Sequence, residues 1–241
     1  MRIDKLLSNT GYGTRKEVKK LLKSGAVKVD ETVIKDAKKQ VDPSGHIVTV
    51  YGEIVRYKEF VYLMMNKPPG YISATEDATQ QTVLDILEPE DAVLKPFPVG
   101  RLDKDTEGLL LLTNDGQLAH QLLSPKKHVP KTYFAIIDGL VTDSDVKAFK
   151  EGVLLDDGYM TKPAILKILK GENQSEIEVT ISEGKYHQVK RMFEAVRKKV
   201  VYLKRISMGN LVLHEDLELG EYRELTDEEV DILRNSEQFN T

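Results

Sequence analysis

No cysteine occurs in the 241-residue chain. That absence removes disulfides, thiolate nucleophiles, iron-sulfur clusters and cysteine-bound zinc together, and it fits a reducing compartment. Long apolar runs are missing as well, since no stretch approaches the roughly 20 residues that cross a bilayer. The opening MRIDKLLSNTGYGTRKE is broken by charge and glycine too early for a secretion signal. A soluble cytoplasmic protein without a membrane partner is expected. Nucleotide motifs are also absent: Gly184-Lys185 is followed by tyrosine and lacks the upstream glycine of a phosphate-binding loop, and no G-x-G-x-x-G follows a strand-like segment. The five histidines, His46, His120, His128, His187 and His214, show no close metal-ligand spacing. No internal repeat or low-complexity run is present. ATP-driven, hydride-transfer and histidine-metal chemistry all lose support.

What is there begins with an uneven charge distribution. The net charge of -4 argues against a nucleic-acid partner, but residues 1 to 40 hold 11 Lys and Arg against 5 Asp and Glu, and residues 181 to 210 hold 8 against 2. Residues 210 to 241 reverse this, with 2 against 10. The chain reads as a basic arm, a middle, a basic helix and an acidic tail. In the arm, Ile3, Leu6 and Leu7 start a helical stripe that the Ser8 to Gly13 turn cluster ends. Thr14 with Glu17 then forms a capping box for a second helix. Val18, Leu21 and Leu22 share one face of that helix, while Lys16, Lys20 and Lys23 fall opposite. The segment AVKVDETVI reads as a hairpin around Asp30-Glu31, and HIVTV as another strand. This unit closes by about residue 58. It is too small for much of a core and suits a binding attachment.

After the polar hinge VRYKEF, a second domain runs over residues 59 to 241. Strands are expected at FVYLMMN, YISAT, GLLLLT, KTYFAIID, AILKIL, EIEVTIS, VVYLKRI and LVL. Helices are expected near TVLDIL, QLAHQLL, SDVKAFKEG, YHQVKRMFEAV and DEEVDILR. Consecutive strands joined by short turns favour a mainly antiparallel sheet with helices packed on it, an α+β rather than a doubly wound architecture.

One stretch, GRLDKDTEGLLLLTNDG at 100 to 116, sets charged residues directly against Leu109 to Leu112. A leucine run without alternation reads as a strand buried on both faces, so Asp103, Asp105 and Glu107 belong to a loop anchored by a rigid element. The spacing Asp103-x-Asp105-x-Glu107-Gly108 imitates the first half of a calcium loop. It fails at the twelfth position, where Asn114 stands in place of the closing glutamate.

This stretch resembles the signature of the RsuA subfamily of pseudouridine synthases. NKPPG at 66 to 70, GRLD at 100 to 103, KTY at 131 to 133 and EGKYHQVKRMF at 183 to 193 recur in the family's order. Residues 1 to 58, through TRKEVKKLLKSGAVKV, resemble the RNA-binding domain named after ribosomal protein S4. The second resemblance implies that Lys5, Arg15, Lys16, Lys20, Lys23 and Lys28 neutralise RNA phosphates. The first implies isomerisation of an RNA uridine without a cofactor: the N1 to C1' bond breaks, uracil turns in the pocket, and C5 joins C1'. Asp103 matches the catalytic aspartate. Tyr133 matches the tyrosine that stacks on the base and helps remove the C5 proton. Lys190 matches the basic residue set against the aspartate, since a carboxylate kept ionised away from water needs a cation close by. Arg101 resembles the arginine that supports the flipped nucleotide, and Arg191 and Lys198 are further candidates for phosphate contacts. Asp105 and Glu107 are read as ordering the loop.

The wording HQVKRMF leans toward small-subunit (16S) rRNA. The expected partner is rRNA in a partly assembled small ribosomal subunit, bound by a monomer. Alternatives are a large-subunit (23S) target, a non-catalytic rRNA-binding assembly factor, and a metal-dependent nuclease using Asp103 and Asp105.

Overall fold

The computed structural model describes residues 1–235; the end of the acidic tail, 236–241, lies outside the described residues. Two units of densest internal contact emerge, Met1–Val61 with Leu87–Pro96 in one, and Tyr62–Ile86 with the chain from Phe97 in the other.

In the first unit, helix α1 (Ile3–Asn9) and helix α2 (Arg15–Ser24) pack on strands β1 (Val27–Val29), β2 (Thr32–Val33), β3 (Val48–Val50) and β4 (Glu53–Ile54). The strands are antiparallel in the order β2-β1-β3-β4. The capping box at Thr14 and Glu17 forms on both sides, and Gly25 ends α2 in the left-handed conformation. Ile3, Leu6, Leu7, Val18 and Leu22 meet Val27, Val48 and Val50 in one core.

The second unit contains β5 (Tyr62–Lys67), a 3-10 turn at Val83–Ile86, β6 (Phe97–Pro98), β7 (Glu107–Thr113), α4 (Gly116–Leu123), β8 (Lys131–Asp138) and α5 (Asp143–Glu151). It continues with β9 (Ile165–Lys170), β10 (Gln174–Ile181), α6 (Gln188–Ala195), β11 (Lys199–Met208), β12 (Leu211–Val212), β13 (Tyr222–Glu224) and α7 (Asp227–Arg234); the short α3 (Pro89–Ala92) groups with the first unit. The sheet runs β13-β5-β7-β11-β8-β10-β9, with β6 on β7 and β12 on β11. Every pairing is antiparallel except β7 with β11. The mixed fold with a mainly antiparallel sheet is as the sequence indicates. No described helix is long and apolar enough to cross a membrane.

Two expected elements take other forms. YISAT is not a strand; only Ile72 bridges Thr82, and the Ser73 hydroxyl is spent on the backbone of Leu102. TVLDIL tightens into the 3-10 turn, with Asp85 accepting from the Thr82 amide and Pro89 following closely.

Leu109 to Leu112 are fully buried, Leu109 and Leu111 against α4 and α7. This strand carries the seam of the sheet. β7 meets β11 through two residue pairs alone, Lys204 with Glu107 and Arg205 with Gly108. Gly108 has φ +100, and a Cβ there would lie 2.3 Å from the Arg205 carbonyl oxygen. Only glycine lets the two strands approach this closely. Beyond the seam, Arg205 Nε donates to the Leu109 carbonyl at 2.7 Å, and the Tyr202 hydroxyl donates to Glu107 at 2.7 Å.

Candidate active site

The loop between β6 and β7 is fastened on both sides. Before Asp103, the Ser73 hydroxyl accepts from the Leu102 amide at 3.0 Å and donates to its carbonyl at 3.1 Å. After it, the Gly70 amide donates to Lys104 O at 2.8 Å. Lys67, at the end of β5, is fully buried, and its Nζ donates to the carbonyls of Pro68 (2.9 Å), Thr106 (2.9 Å) and Lys104 (3.3 Å). Burial pushes this ammonium down to about 8, against the opposing pull of Asp105, Asp103 and Glu107. The NKPPG turn thus holds the loop through its lysine and its glycine amide.

On that loop, the Asp103 carboxylate is one-quarter exposed. Lys190 Nζ stands 3.2 Å from Oδ2 and His187 Nε2 stands 3.5 Å from Oδ1. Lys190 also meets Asp105 Oδ1 at 2.6 Å. Burial alone would lower the Lys190 pKa, but Asp105 and Asp103 together outweigh it and raise it. The same contact outweighs burial at Asp105 and holds its carboxyl low. The Lys190 ammonium and the Asp105 carboxylate thus favour each other's charged form. Such a site can present a carboxylate to a developing cation.

Lys190 reaches this position because α6 buries Gln188, Val189, Met192 and Phe193, leaving Lys190 at the flank. His187, at the N-cap with φ 49, stacks on Tyr186 with ring centroids 3.8 Å apart. Its place beside Asp103 does not show in the metal-ligand spacing of the histidines; the signal for it is the separation of three residues from Lys190 at a helix start.

Tyr133 is nearly buried on β8, and its register partner on β11 is Arg205, itself paired with Gly108. Paired residues project from the same face of a sheet, so tyrosine and arginine share one face. Arg205 is 2% exposed, has no carboxylate partner among the described residues, and keeps one guanidinium nitrogen, Nη2, buried without a hydrogen bond. Nothing in the alternation of KVVYLKRISM identified it.

The remaining candidates divide. Arg101 is exposed and without a partner among the described residues, so neither Asp105 nor Glu107 holds it. Lys5, Arg15, Lys16, Lys20 and Lys23 are exposed on the first unit, while Lys28 is half-buried and 3.1 Å from Glu31. Arg191 and Lys198 are not the free cations expected. Arg191 is clasped by Asp156 and, at 2.7 Å, by Asp157. Lys198 pairs at 2.8 Å with the nearly buried Asp145 of α5.

Comparison with known sequences defines the class. The family described as RNA pseudouridylate synthase matches residues 61–195, and the S4 domain matches residues 1–56. The chain belongs to the RNA pseudouridylate synthase family and carries an S4 domain at its N-terminal side; it is an isomerase. Among particular proteins, it is 58% identical over 97% of its length to the RNA pseudouridine synthase YtzG of Bacillus subtilis (strain 168), covering 98% of that protein. It is 38% identical to ribosomal small subunit pseudouridine synthase A of Escherichia coli (strain K12), over 95% of this chain and 98% of that one. A crystal structure of a pseudouridylate synthase, 38% identical, superposes with a TM-score of 0.68 over 97% of this chain and 99% of the other.

Proposed function

We propose that this protein converts one uridine of small-subunit (16S) rRNA to pseudouridine, acting on a partly assembled particle as a cytoplasmic monomer. Residues 1–58 dock the RNA through their exposed lysines, and residues 59–241 carry the chemistry. The observation that carries the reading is the Asp103 carboxylate, pinned on its loop and faced by Lys190 at 3.2 Å and His187 at 3.5 Å.

Breaking the N1 to C1' bond leaves the bonding pair on uracil and positive charge at C1', where an ionised carboxylate attacks or stabilises it. The uracil turns within the pocket. Its C5 joins C1', the C5 proton departs, and N1 regains a proton, so the product has the atoms of the substrate. Lys190 and His187 hold Asp103 in its orientation. Tyr133 stacks on the extruded base and assists removal of the C5 proton, and Arg101 supports the flipped nucleotide, whose extrusion costs a few kcal/mol. The small-subunit target draws support from the 38% identical relative named for that subunit.

The test is pseudouridine mapping of rRNA from cells whose sole copy is wild type or Asp103→Asn. One 16S uridine should be modified by wild type and left unmodified by the variant. Modification that survives in the variant overturns the assignment of Asp103, and a wild-type signal in 23S rRNA moves the target to the large subunit.

A further inference from the structure

Arg191 of α6 and Lys198 beyond its end, which were expected to meet phosphate, are neutralised by Asp156, Asp157 and Asp145, so unneutralised charge must be sought elsewhere. One cluster of it surrounds the connection from α4 to β8. Lys126 and Lys127 are exposed there, His128 takes a left-handed φ of 49, and Lys131 opens β8. Lys162, ahead of β9, brings Nζ to 2.8 Å from His128 Nδ1. An ammonium only donates, so Nδ1 accepts and the ring proton sits on Nε2. Lys185 lies 4.5 Å over the Tyr159 ring. None of these five lysines has a carboxylate partner among the described residues, whereas Lys147, Lys167 and Lys170 on the same unit each do. Glu183, the carboxylate bonded within the patch, accepts from the Tyr159 hydroxyl, the Lys162 amide and Gln188 Nε2, so a single negative charge stands against five lysines.

A second observation points to a missing anion. Lys131 Nζ donates to the Val129 carbonyl at 2.8 Å, and burial first, then the Arg205 guanidinium, hold its ammonium down to about 8. Arg205 is itself buried with Nη2 unpartnered. Two cations close together, partly or wholly removed from water and lacking a counter-ion, raise the energy of the free protein. An arriving anion relieves it. Lys131 and Tyr133 project from the same face two residues apart on β8, a spacing of roughly 7 Å.

We propose that this surface, formed by Lys126, Lys127, Lys131, Lys162 and Lys185 with His128, binds the phosphodiester backbone of the single-stranded RNA adjoining the target uridine. The inference rests on the reading of RNA uridine as substrate. It assigns the catalytic unit its own phosphate contacts, separate from those of the first unit. The contacts follow the backbone and carry no base preference, so they act on affinity and register and leave the chemical step alone.

The experiment compares full-length wild type with the triple variant Lys126→Ala, Lys127→Ala, Lys162→Ala, the corresponding triple Lys→Arg variant, and a control, Lys147→Ala with Lys167→Ala. Binding of a fluorescein-labelled oligouridylate is followed against salt, and KM and kcat are measured on partly assembled small-subunit particles, with thermal melts to verify folding. Removing one lysine-phosphate pair on a single strand should reduce the slope of log K against log salt by about 0.7, and removing three should reduce it by about 2. KM should rise on the order of tenfold or more with kcat held, and the arginine variant should retain the wild-type slope. An unchanged slope and KM in a folded alanine variant overturns the inference, as does a fall in kcat with KM unchanged. If wild type makes no pseudouridine yet the alanine variant loses salt slope on the oligonucleotide, the isomerase reading falls and the phosphate surface stands.

Discussion

Replacing Lys67 by methionine sets two structural effects against each other, and pH separates them. The ammonium of Lys67 is fully buried and satisfies the carbonyls of Pro68, Lys104 and Thr106. Removing it leaves three acceptors unpaired, which costs roughly 3 to 6 kcal/mol at about 1 to 2 kcal/mol each. The buried charge has its own penalty: lowering the pKa from 10.5 to about 8 corresponds to roughly 3 kcal/mol. Methionine removes that penalty, so the variant should lose only a few kcal/mol at pH 7. In the wild type, the folded state binds fewer protons than the unfolded state between about 8 and 10.5, so Lys67 raises stability as pH rises through that window. The penalty is complete below pH 8 and fades toward 10.5. The stability gap between wild type and Lys67→Met should therefore widen by roughly 2 to 3 kcal/mol between pH 7 and pH 10; Lys131, also near 8, is present in both proteins and cancels. Urea denaturation at the two pH values measures the gap. Catalysis should suffer more than stability, with kcat falling about 100-fold, because the Asp103 loop loses its fastening. Parallel pH dependence in the two proteins, or full kcat in the variant, would refute the role given to this lysine.

Gly108→Ala should destabilise by roughly 3 kcal/mol or more, from a side chain forced onto a left-handed backbone and a contact of 2.3 Å with Arg205; thermal melting checks it. Asp145→Ala removes the partner of Lys198, whose side chain is 16% exposed, and should cost roughly 3 to 5 kcal/mol in urea titrations. Asp105→Asn should keep most activity while Asp103→Asn loses it, as read by pseudouridine formation on 16S rRNA, because Lys190 retains Asp103 as its partner. The depressed Asp105 carboxyl contributes stability above its ordinary value of 3.8 that is lost as pH falls through its folded value, so acid melts of wild type and Asp105→Asn should converge at low pH.

Local signals in the chain reach some of these features and stop short of others. The leucine run announced a strand buried on both faces, and the charged stretch before it announced an anchored loop, because both depend on neighbours in sequence. Capping at Thr14 and Glu17 was legible for the same reason. The seam was not, since it joins Gly108 to Arg205 across most of the domain. Arg205 was also hidden by the register shifts in β11, between Val200 and Tyr202 and between Arg205 and Ser207. Each shift reverses which alternate residues face inward, so a period of two cannot decide between Lys204 and Arg205. The engagement of Arg191 is similar: a helical wheel places its guanidinium at the surface but cannot foresee two aspartates arriving from residues 156 and 157. Ordered family motifs supplied what periodicity could not, namely the candidacy of Asp103, Tyr133 and Lys190; the Lys67 hydrogen bonds to Lys104 and Thr106, which fasten NKPPG to the loop just past GRLD, had no such signal.

Asp103 leads into β7 and Tyr133 stands on β8, on opposite flanks of the two-pair joint between Glu107-Gly108 and Lys204-Arg205. The spacing between the Asp103 carboxylate and the Tyr133 ring, the two groups proposed to meet ribose and base, is thus gauged by a short stitch in the middle of the sheet, remote from its rims. Insertions and charge changes at the rims can refit the protein to a differently shaped RNA while the reacting geometry keeps its calibration.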